Sequence, residues 1–373
     1  MFELALILLS ILYFIFLFYI IYPFIIKREI CDRVENYPPI SIIIAVRNGE
    51  GSLLKLFTHL SKQQYKGELE FIFVDDCSSD QTNSIINSYK LKDSRVRYIS
   101  SNDGDSSLAF KKRALDAGIK HSKHELLLFT DVDCRPTDLW VKTMVDSLGP
   151  KSDYVVGMSY VLKKSSLISI FQSIDFYFLM KSAQALAIMK RPNASSGQSI
   201  LYRKSLFYSV GGYSRISSFI QGDDTLFLQV IKKYTKSRVS PVINEAGYVI
   251  ARTENDIFSF IRQRIRWSGD ANIIWKFNII FFIFMVLIFC YSVLLVSTSI
   301  YSIFNTSLLY ILIPIVGFKF LLELLFLNIN QTHPQKFNIL EFSFWFIIHP
   351  FYIILMGLGS FIASRLSWRG RVL

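Results

Sequence analysis

Two aspartates one residue apart, Asp131 and Asp133, end the stretch Leu126-Leu127-Leu128-Phe129-Thr130-Asp131-Val132-Asp133. The apolar run reads as a buried strand, and Pro136, with no backbone N–H to give, halts pairing just beyond it. In extended chain, side chains at i and i+2 point the same way, so both carboxylates are expected on one face at the strand's carboxyl end. That edge of an open α/β sheet is where ligands sit. Two hard oxygen ligands there suit Mg2+ or Mn2+ held against a phosphate. Other acidic stations follow predicted strands or loops: Asp75/Asp76, Asp103/Asp105 and Asp223/Asp224. Each alone reads equally as a strand end or a helix cap, since aspartate is a preferred N-cap.

The elements that must position these stations alternate. Ile40–Val46 reads as a strand, followed by a helix patterned on Leu53, Leu54, Phe57 and Leu60. Leu69–Val74 is a second strand ending in Asp75-Asp76-Cys77-Ser78-Ser79-Asp80, with a helix starting near Gln81. Val96–Ile99 is an edge-like strand, and a helix through Lys111, Ala114 and Ile119 leads back to the Asp131 strand. Strands and helices in this alternation predict βαβ units and a mostly parallel sheet, the α/β class. Beyond Pro150 the pattern predicts a strand over 154–161, an amphipathic helix over 167–189, and a helix opened by Gly222-Asp223-Asp224. Residues 256–276 read as one basic, aromatic helix lying in a membrane interface.

Composition sets the surroundings. The chain has 373 residues, 51% hydrophobic, with a mean hydropathy of +0.36, too apolar for an ordinary soluble protein. Leu4–Ile26 is long enough to cross a bilayer and lacks a basic leader and a small-residue cleavage site, so it reads as a retained anchor. Further apolar segments lie near 278–303, 307–329 and 341–363; the second carries Lys319 and Glu323, four apart and expected to pair. With so much apolar sequence, the net charge of +12 fits an anionic leaflet and a phosphorylated substrate rather than nucleic acid. Cys31, Cys77, Cys134 and Cys290 have no metal-ligand spacing, and a disulfide framework is not expected. His121 and His124 read as a surface pair. No Lys or Arg precedes the first segment, whereas Lys27, Arg28 and Arg33 follow it, which puts its carboxyl side in the cytoplasm. Three further spans would then carry Arg365, Arg369 and Arg371 outside, against the same rule. His349-Pro350 is expected to break the last segment, leaving a cytoplasmic tail.

Taken in order, Asp76, Asp131-Val132-Asp133, Asp224 and Gln263-Arg264-Ile265-Arg266-Trp267 resemble the motif series of membrane-bound family 2 glycosyltransferases of the GT-A fold, over about residues 38–275. Ceramide glucosyltransferase-like and polysaccharide synthase-like members carry the same series. The resemblance implies an N-terminal anchor (1–27), a cytoplasmic GT-A domain (38–255), an interfacial helix (256–277), three membrane segments (278–364) and a basic tail (365–373). It also implies a bacterial plasma-membrane protein. Ala45, Arg47 and Asn48 fall in the first nucleotide loop, with Ala45 in place of proline and Gly49 in place of an acid. Asp76 would accept from the base. Lys111, or its neighbour Lys112, would be the basic residue near the nucleotide. Asp133 would ligand a divalent cation on the diphosphate, and Asp131 would hold the ribose or sugar side. Asp224 would be the general base. Asp223 would share or perturb its proton, or simply cap the helix. Gly197 and Gln198 would line the acceptor pocket, Gln263 and Arg266 would serve the diphosphate, and Trp267 would floor the acceptor site. The expected partners are a nucleotide-sugar donor, a lipid or glycan acceptor and membrane lipids. The expected activity is inverting transfer to a lipid, with a processive polysaccharide synthase as the alternative.

Overall fold

The computed structural model describes residues 2–26, 36–149, 152–219, 221–330, 335–365, 367–368 and 371–372. Lys27, Arg28, Cys31, Arg33, Pro150 and Arg369 lie outside the described residues. The chain divides into two units, one drawn from Met1–Arg28, Lys163–Ala185 and Glu254–Leu366, the other from Glu29–Leu162, Leu186–Thr253 and Ser367–Leu373.

After α1 (Phe2–Ile25), the second unit starts a parallel sheet: β1 (Ile40–Val46), α2 (Glu50–Ser61), β2 (Leu69–Asp75), α3 (Thr82–Lys90), β3 (Val96–Ser100), α4 (Phe110–His121) and β4 (Leu126–Phe129). Every residue of β2 and β4 is buried, and all of β1 but Ala45, as strands covered by helices on both faces require. The chain then adds β5 (Arg135–Pro136), α5 (Trp140–Leu148), β6 (Tyr154–Val156), β7 (Ser159–Val161), α6 (Leu167–Ile188), β8 (Ile200–Arg203), α7 (Lys204–Ser209), α8 (Thr225–Tyr234), β9 (Val239–Pro241) and β10 (Val249–Ala251). The seven-stranded sheet runs β3-β2-β1-β4-β8-β6-β9, with β8 antiparallel to β4 and to β6, and a smaller sheet runs β5-β10-β7. From β1 the chain first builds outward through β2 and β3, then returns to place β4 on the other side of β1. The carboxyl ends of β1 and β4 therefore flank the switch point, the crevice where such sheets take ligands.

The expected strand over 154–161 is two strands in different sheets. Gly157 donates to Ser199 O at 2.9 Å between them, and beyond it β7 pairs with β10.

The helical unit contains α1, most of α6, α9 (Ile257–Ser268), α10 (Ala271–Ile274), α11 (Ile279–Tyr301), α12 (Leu309–Asn328) and α13 (Ile339–Gly359). Four of its helices are long and apolar enough to cross a membrane: α1, α11, α12 with its leading turn, and α13. Residues 256–276 form two helices rather than one, parted at Gly269-Asp270. Pro350 does not break α13, which runs on through it; neighbouring helices routinely re-satisfy the backbone around a membrane proline. Nor is α6 amphipathic. Residues 171–177 are all buried, including Gln172, Ser173 and Asp175, so in this stretch burial runs all round the helix. Lys181 of α6, 1% exposed, donates to the carbonyls of Ile329 (2.7 Å) and Leu327 (3.3 Å) at the end of α12. Within the bundle Lys319 and Glu323 pair at 2.8 Å, and Tyr13 also donates to Glu323. The basic tail holds a two-stranded pair, β11 (Ser367–Trp368) with β12 (Arg371–Val372).

Candidate active site

The first two loops at the switch point are laced together. Ala45 stays inside β1 opposite Val74, so the loop is only Arg47-Asn48. Asn48 sits at φ 48°, a conformation asparagine tolerates better than most residues. Its Oδ1 accepts from Ser79 N at 2.9 Å and its N–H donates to Ser78 Oγ at 2.9 Å. Arg47 Nη1 donates to the carbonyls of Asp76 (2.8 Å) and Cys77 (2.9 Å). Gly49 is where the resemblance expects an acid, yet a Cβ there would lie 2.5 Å from Val46 Cγ1 and 3.2 Å from Val132 Cγ2. The next residue is an acid, and Glu50 Oε2 accepts from Gln81 N at 2.9 Å. Asp75 and Asp76 divide their work. Asp75 accepts from Ser78 N (3.0 Å) and from Tyr98 OH (3.1 Å), whereas Asp76 is a separate buried carboxylate beyond the end of β2.

Asp131 and Asp133 are not on an extended strand. β4 stops at Phe129, and Asp131–Cys134 is a turn closed by Cys134 N donating to Asp131 O at 3.1 Å. The turn still gathers the carboxylates: ligand atoms of Asp131, Asp133 and Cys134 lie within 4.8 Å of one another. Two carboxylates fit a hard divalent cation. The Cys134 thiol, a soft ligand, suits such an ion less well, and burial, and then Asp131 and Asp133, push it well above its ordinary range.

Lys111, in the first turn of α4, joins this turn to the next station. Its Nζ lies 2.9 Å from Asp131 Oδ1 and 2.9 Å from Asp223 Oδ2. An ammonium at a helix N-terminus opposes the macrodipole. Burial also works against its charge, but Asp131, Asp223 and Asp224 outweigh both and hold it well above the usual lysine range. Lys111 is the one of the two candidate lysines whose ammonium pairs with Asp131 and Asp223, whereas the ammonium of Lys112 donates to backbone carbonyls.

Asp224, not Asp223, caps α8. Its Oδ1 accepts from Thr225 N at 2.5 Å and its Oδ2 from Gly197 N at 3.0 Å. The 195–198 loop is fixed for this by Thr225 Oγ1, which donates to Ser195 O (2.9 Å) and accepts from Ser195 N (3.2 Å). Gly197 leaves only tight space for a side chain. A Cβ would meet Lys111 Nζ at 3.0 Å, Asp223 Oδ2 at 3.3 Å and Asp224 Oδ2 at 3.6 Å. Burial, then the charge of Asp223, raises the Asp224 carboxyl to about 6, while Lys111 and the two backbone N–H groups limit the rise. A carboxylate in that range is ionised at neutral pH and still basic enough to take a proton. Nearby, the buried Gln198 Oε1 has no hydrogen-bond partner, an orphan acceptor next to the cluster.

Gln263, Arg266 and Trp267 belong to the helical unit. Gln263 Nε2 donates to Glu254 Oε1 at 2.9 Å. The deeply buried arginine of α9 is Arg264, which sequence reasoning passed over. It is 4% exposed, lies 3.4 Å from Asp175 Oδ2, and has Trp267 at 4.4 Å across its face. The available signal was Asp175 itself, a lone acid in the apolar run Phe171–Phe178. His121 and His124 are separate: His121 Nδ1 faces Ala117 O at 3.0 Å, and His124 lies 3.7 Å from Glu68.

Comparison with known proteins agrees with this architecture. The family model described as glycosyl transferase family 21 matches residues 6–373. A relative named probable glycosyltransferase YdaM from Bacillus subtilis is 24% identical over 371 residues, covering 90% of this chain and 85% of that protein. The poly-beta-1,6-N-acetyl-D-glucosamine synthase of Staphylococcus epidermidis is 28% identical over 204 residues, 51% of this chain and 47% of that one. Among solved structures, the mannosyltransferase PcManGT from Pyrobaculum calidifontis, in complex with GDP-Man and Mn2+, superposes with a TM-score of 0.56 at 16% identity. The match covers 72% of this chain and 73% of that one, a likeness of fold.

Proposed function

The chain belongs to glycosyl transferase family 21, and on that premise we propose that it is an inverting transferase moving one sugar from a UDP-linked donor to a membrane lipid or lipid-linked acceptor. The observation that carries the reading is Asp224: buried, gripped on both oxygens by backbone N–H groups, and raised to about 6 beside the Lys111 bridge to Asp131. An acceptor hydroxyl is a weak nucleophile, and Asp224 takes its proton as the oxygen attacks the anomeric carbon. The bond from that carbon to the diphosphate oxygen breaks on the opposite face, which inverts the configuration and releases the nucleoside diphosphate. Asp131 and Asp133 would hold a Mg2+ or Mn2+ ion, whose charge offsets that growing on the leaving diphosphate; the related fold of PcManGT holds Mn2+. Lys111 adds a fixed positive charge on the same side. Arg47, Asn48 and Asp76 receive the nucleotide; Gly197 and Gln198 line the acceptor pocket. For Gln263, Arg266 and Trp267, which belong to the helical unit, the motif resemblance supports roles toward the diphosphate and the acceptor.

The four long apolar helices support a multi-pass protein and a lipid acceptor, and Lys27 and Arg28 after the first of them support a catalytic unit that faces the cytoplasm. A processive synthase is the competing reading, supported by the Staphylococcus relative. Against it, Lys319 and Glu323, the polar pair in the bundle, satisfy each other at 2.8 Å. The test is a panel of labelled UDP-sugars given to the purified protein in native lipid. Label extracted into organic solvent is expected; a high-mass polymer eliminates the lipid reading, and no transfer from any UDP-sugar eliminates the donor class.

A further inference from the structure

Lys112 is fully buried at 0% exposure, one residue from the lysine that serves the carboxylates. Its Nζ donates to the backbone carbonyls of Ile216 (2.7 Å), Gln221 (3.1 Å) and Phe219. An ammonium has three N–H donors, and these three carbonyls are acceptors for it. Those carbonyls belong to the stretch that ends two residues before Asp223. Apart from the single turn Ser214–Ile216, this stretch has no regular structure of its own among the described residues. Successive residues of a helix project about 100° apart, so Lys111 and Lys112 diverge. One ammonium meets the Asp223 side chain and the other the backbone just upstream. The first turn of α4 thus grips the acidic station at two points.

We infer that Lys112 is a positioning residue for the general base: its ammonium is the internal cation that ties down the carbonyls of Ile216, Phe219 and Gln221, and so fixes where Asp223 and Asp224 emerge. The inference rests on the reading of Asp224 as the base. Without the ammonium, three carbonyls lose a buried charged donor and the segment loosens. The nucleotide loops of Arg47, Asn48 and Asp76 hang on other elements and keep their geometry. Misplacement of a reacting group by about 1 Å costs on the order of a hundredfold in rate. Loss should therefore fall on turnover and spare nucleotide affinity.

The experiment uses the full chain in lipid nanodiscs, with Lys112→Met, Lys112→Gln and Asp224→Asn beside the parent. It reads UDP binding in the presence of Mn2+ by calorimetry, transfer from the UDP-sugar the panel identifies, and hydrogen exchange over Ser214–Phe219. For Lys112→Met, turnover is expected to fall about tenfold to a hundredfold while UDP affinity stays within about threefold, with faster exchange confined to that segment. Lys112→Gln, which keeps two N–H donors without the charge, is expected to lie between. Three results overturn the inference: undiminished turnover in Lys112→Met, a proportionate loss of UDP affinity with exchange rising throughout, or failure of both Lys112 variants to fold. If Asp224→Asn keeps turnover, the base assignment fails. If only Lys112→Met keeps it, the base stands and Lys112 is not its positioning residue.

Discussion

Asp224 accepts two backbone N–H groups and caps a helix, features that ordinarily hold a carboxyl low, yet it is raised to about 6. Burial outweighs them, and Asp223 adds to it. The sign of the pH dependence follows. The base proposed at Asp224 works only when ionised, so kcat should fall as pH drops through about 6. Lys111 lowers the Asp224 value, so Lys111→Met should move that acid limb to higher pH. Asp223 raises it, so Asp223→Asn should move the limb to lower pH. A pH–rate series on the three proteins reads both displacements; shifts of the same sign would refute the electrostatic account. Asp224→Asn should fold, insert and bind UDP but lose transfer; undiminished turnover would sink the base assignment. That Asp224 rather than Asp223 is the cap was not legible in the sequence, because adjacent aspartates before a helix are interchangeable until the backbone directions are known.

At the scale of elements, the 195–198 loop is tied to α8 through Thr225 and pressed against Lys111 at Gly197. Gly197→Ala would force a methyl to within 3.0 Å of the Lys111 ammonium. Overpacking of this kind costs about 1–3 kcal/mol. Transfer should drop about tenfold or more through displacement of Lys111 and Asp224, with UDP affinity less affected, as paired kinetics and calorimetry would show. The parallel half of the sheet was legible because β1, β2 and β4 are near-continuous apolar runs that end at their acids. The second half was not. β6 and β7 are three residues each, and only the close approach of Gly157 to Ser199 divides them. The expectation that Asp131 and Asp133 share a face reached the right grouping through the wrong geometry. A turn brings them together where extended chain was predicted.

For the whole molecule, the order of acidic stations carried the family, while the interior of the bundle had to be seen. Lys319 and Glu323 were recognisable as a pair from spacing alone; Tyr13, which completes it from α1, was not. Removing one member strands the other, at about 3–5 kcal/mol, whereas replacing both with apolar residues is often neutral or stabilising. Lys319→Met and Glu323→Leu should each lower the thermal midpoint in detergent, and the double variant should recover most of the loss. A double variant worse than either single would give the pair a role beyond mutual neutralisation.

The burial of α6 bears on how the enzyme can be divided. By sequence this helix sits in the middle of the catalytic stretch, but residues Lys163–Ala185 group with the helical unit. Lys181 is satisfied by the last carbonyls of α12, and Asp175 by Arg264 of α9. A truncated protein ending near residue 255, the natural cut for a water-soluble catalytic fragment, would keep α6 and discard both partners. Phe171 and Phe176, whose ring partners Phe260, Tyr352 and Trp267 lie beyond the cut, would then be uncovered together with an orphaned aspartate and lysine. Such a fragment is expected to aggregate on expression. One in which α6 is replaced by a short polar linker is expected to stay in solution and bind UDP.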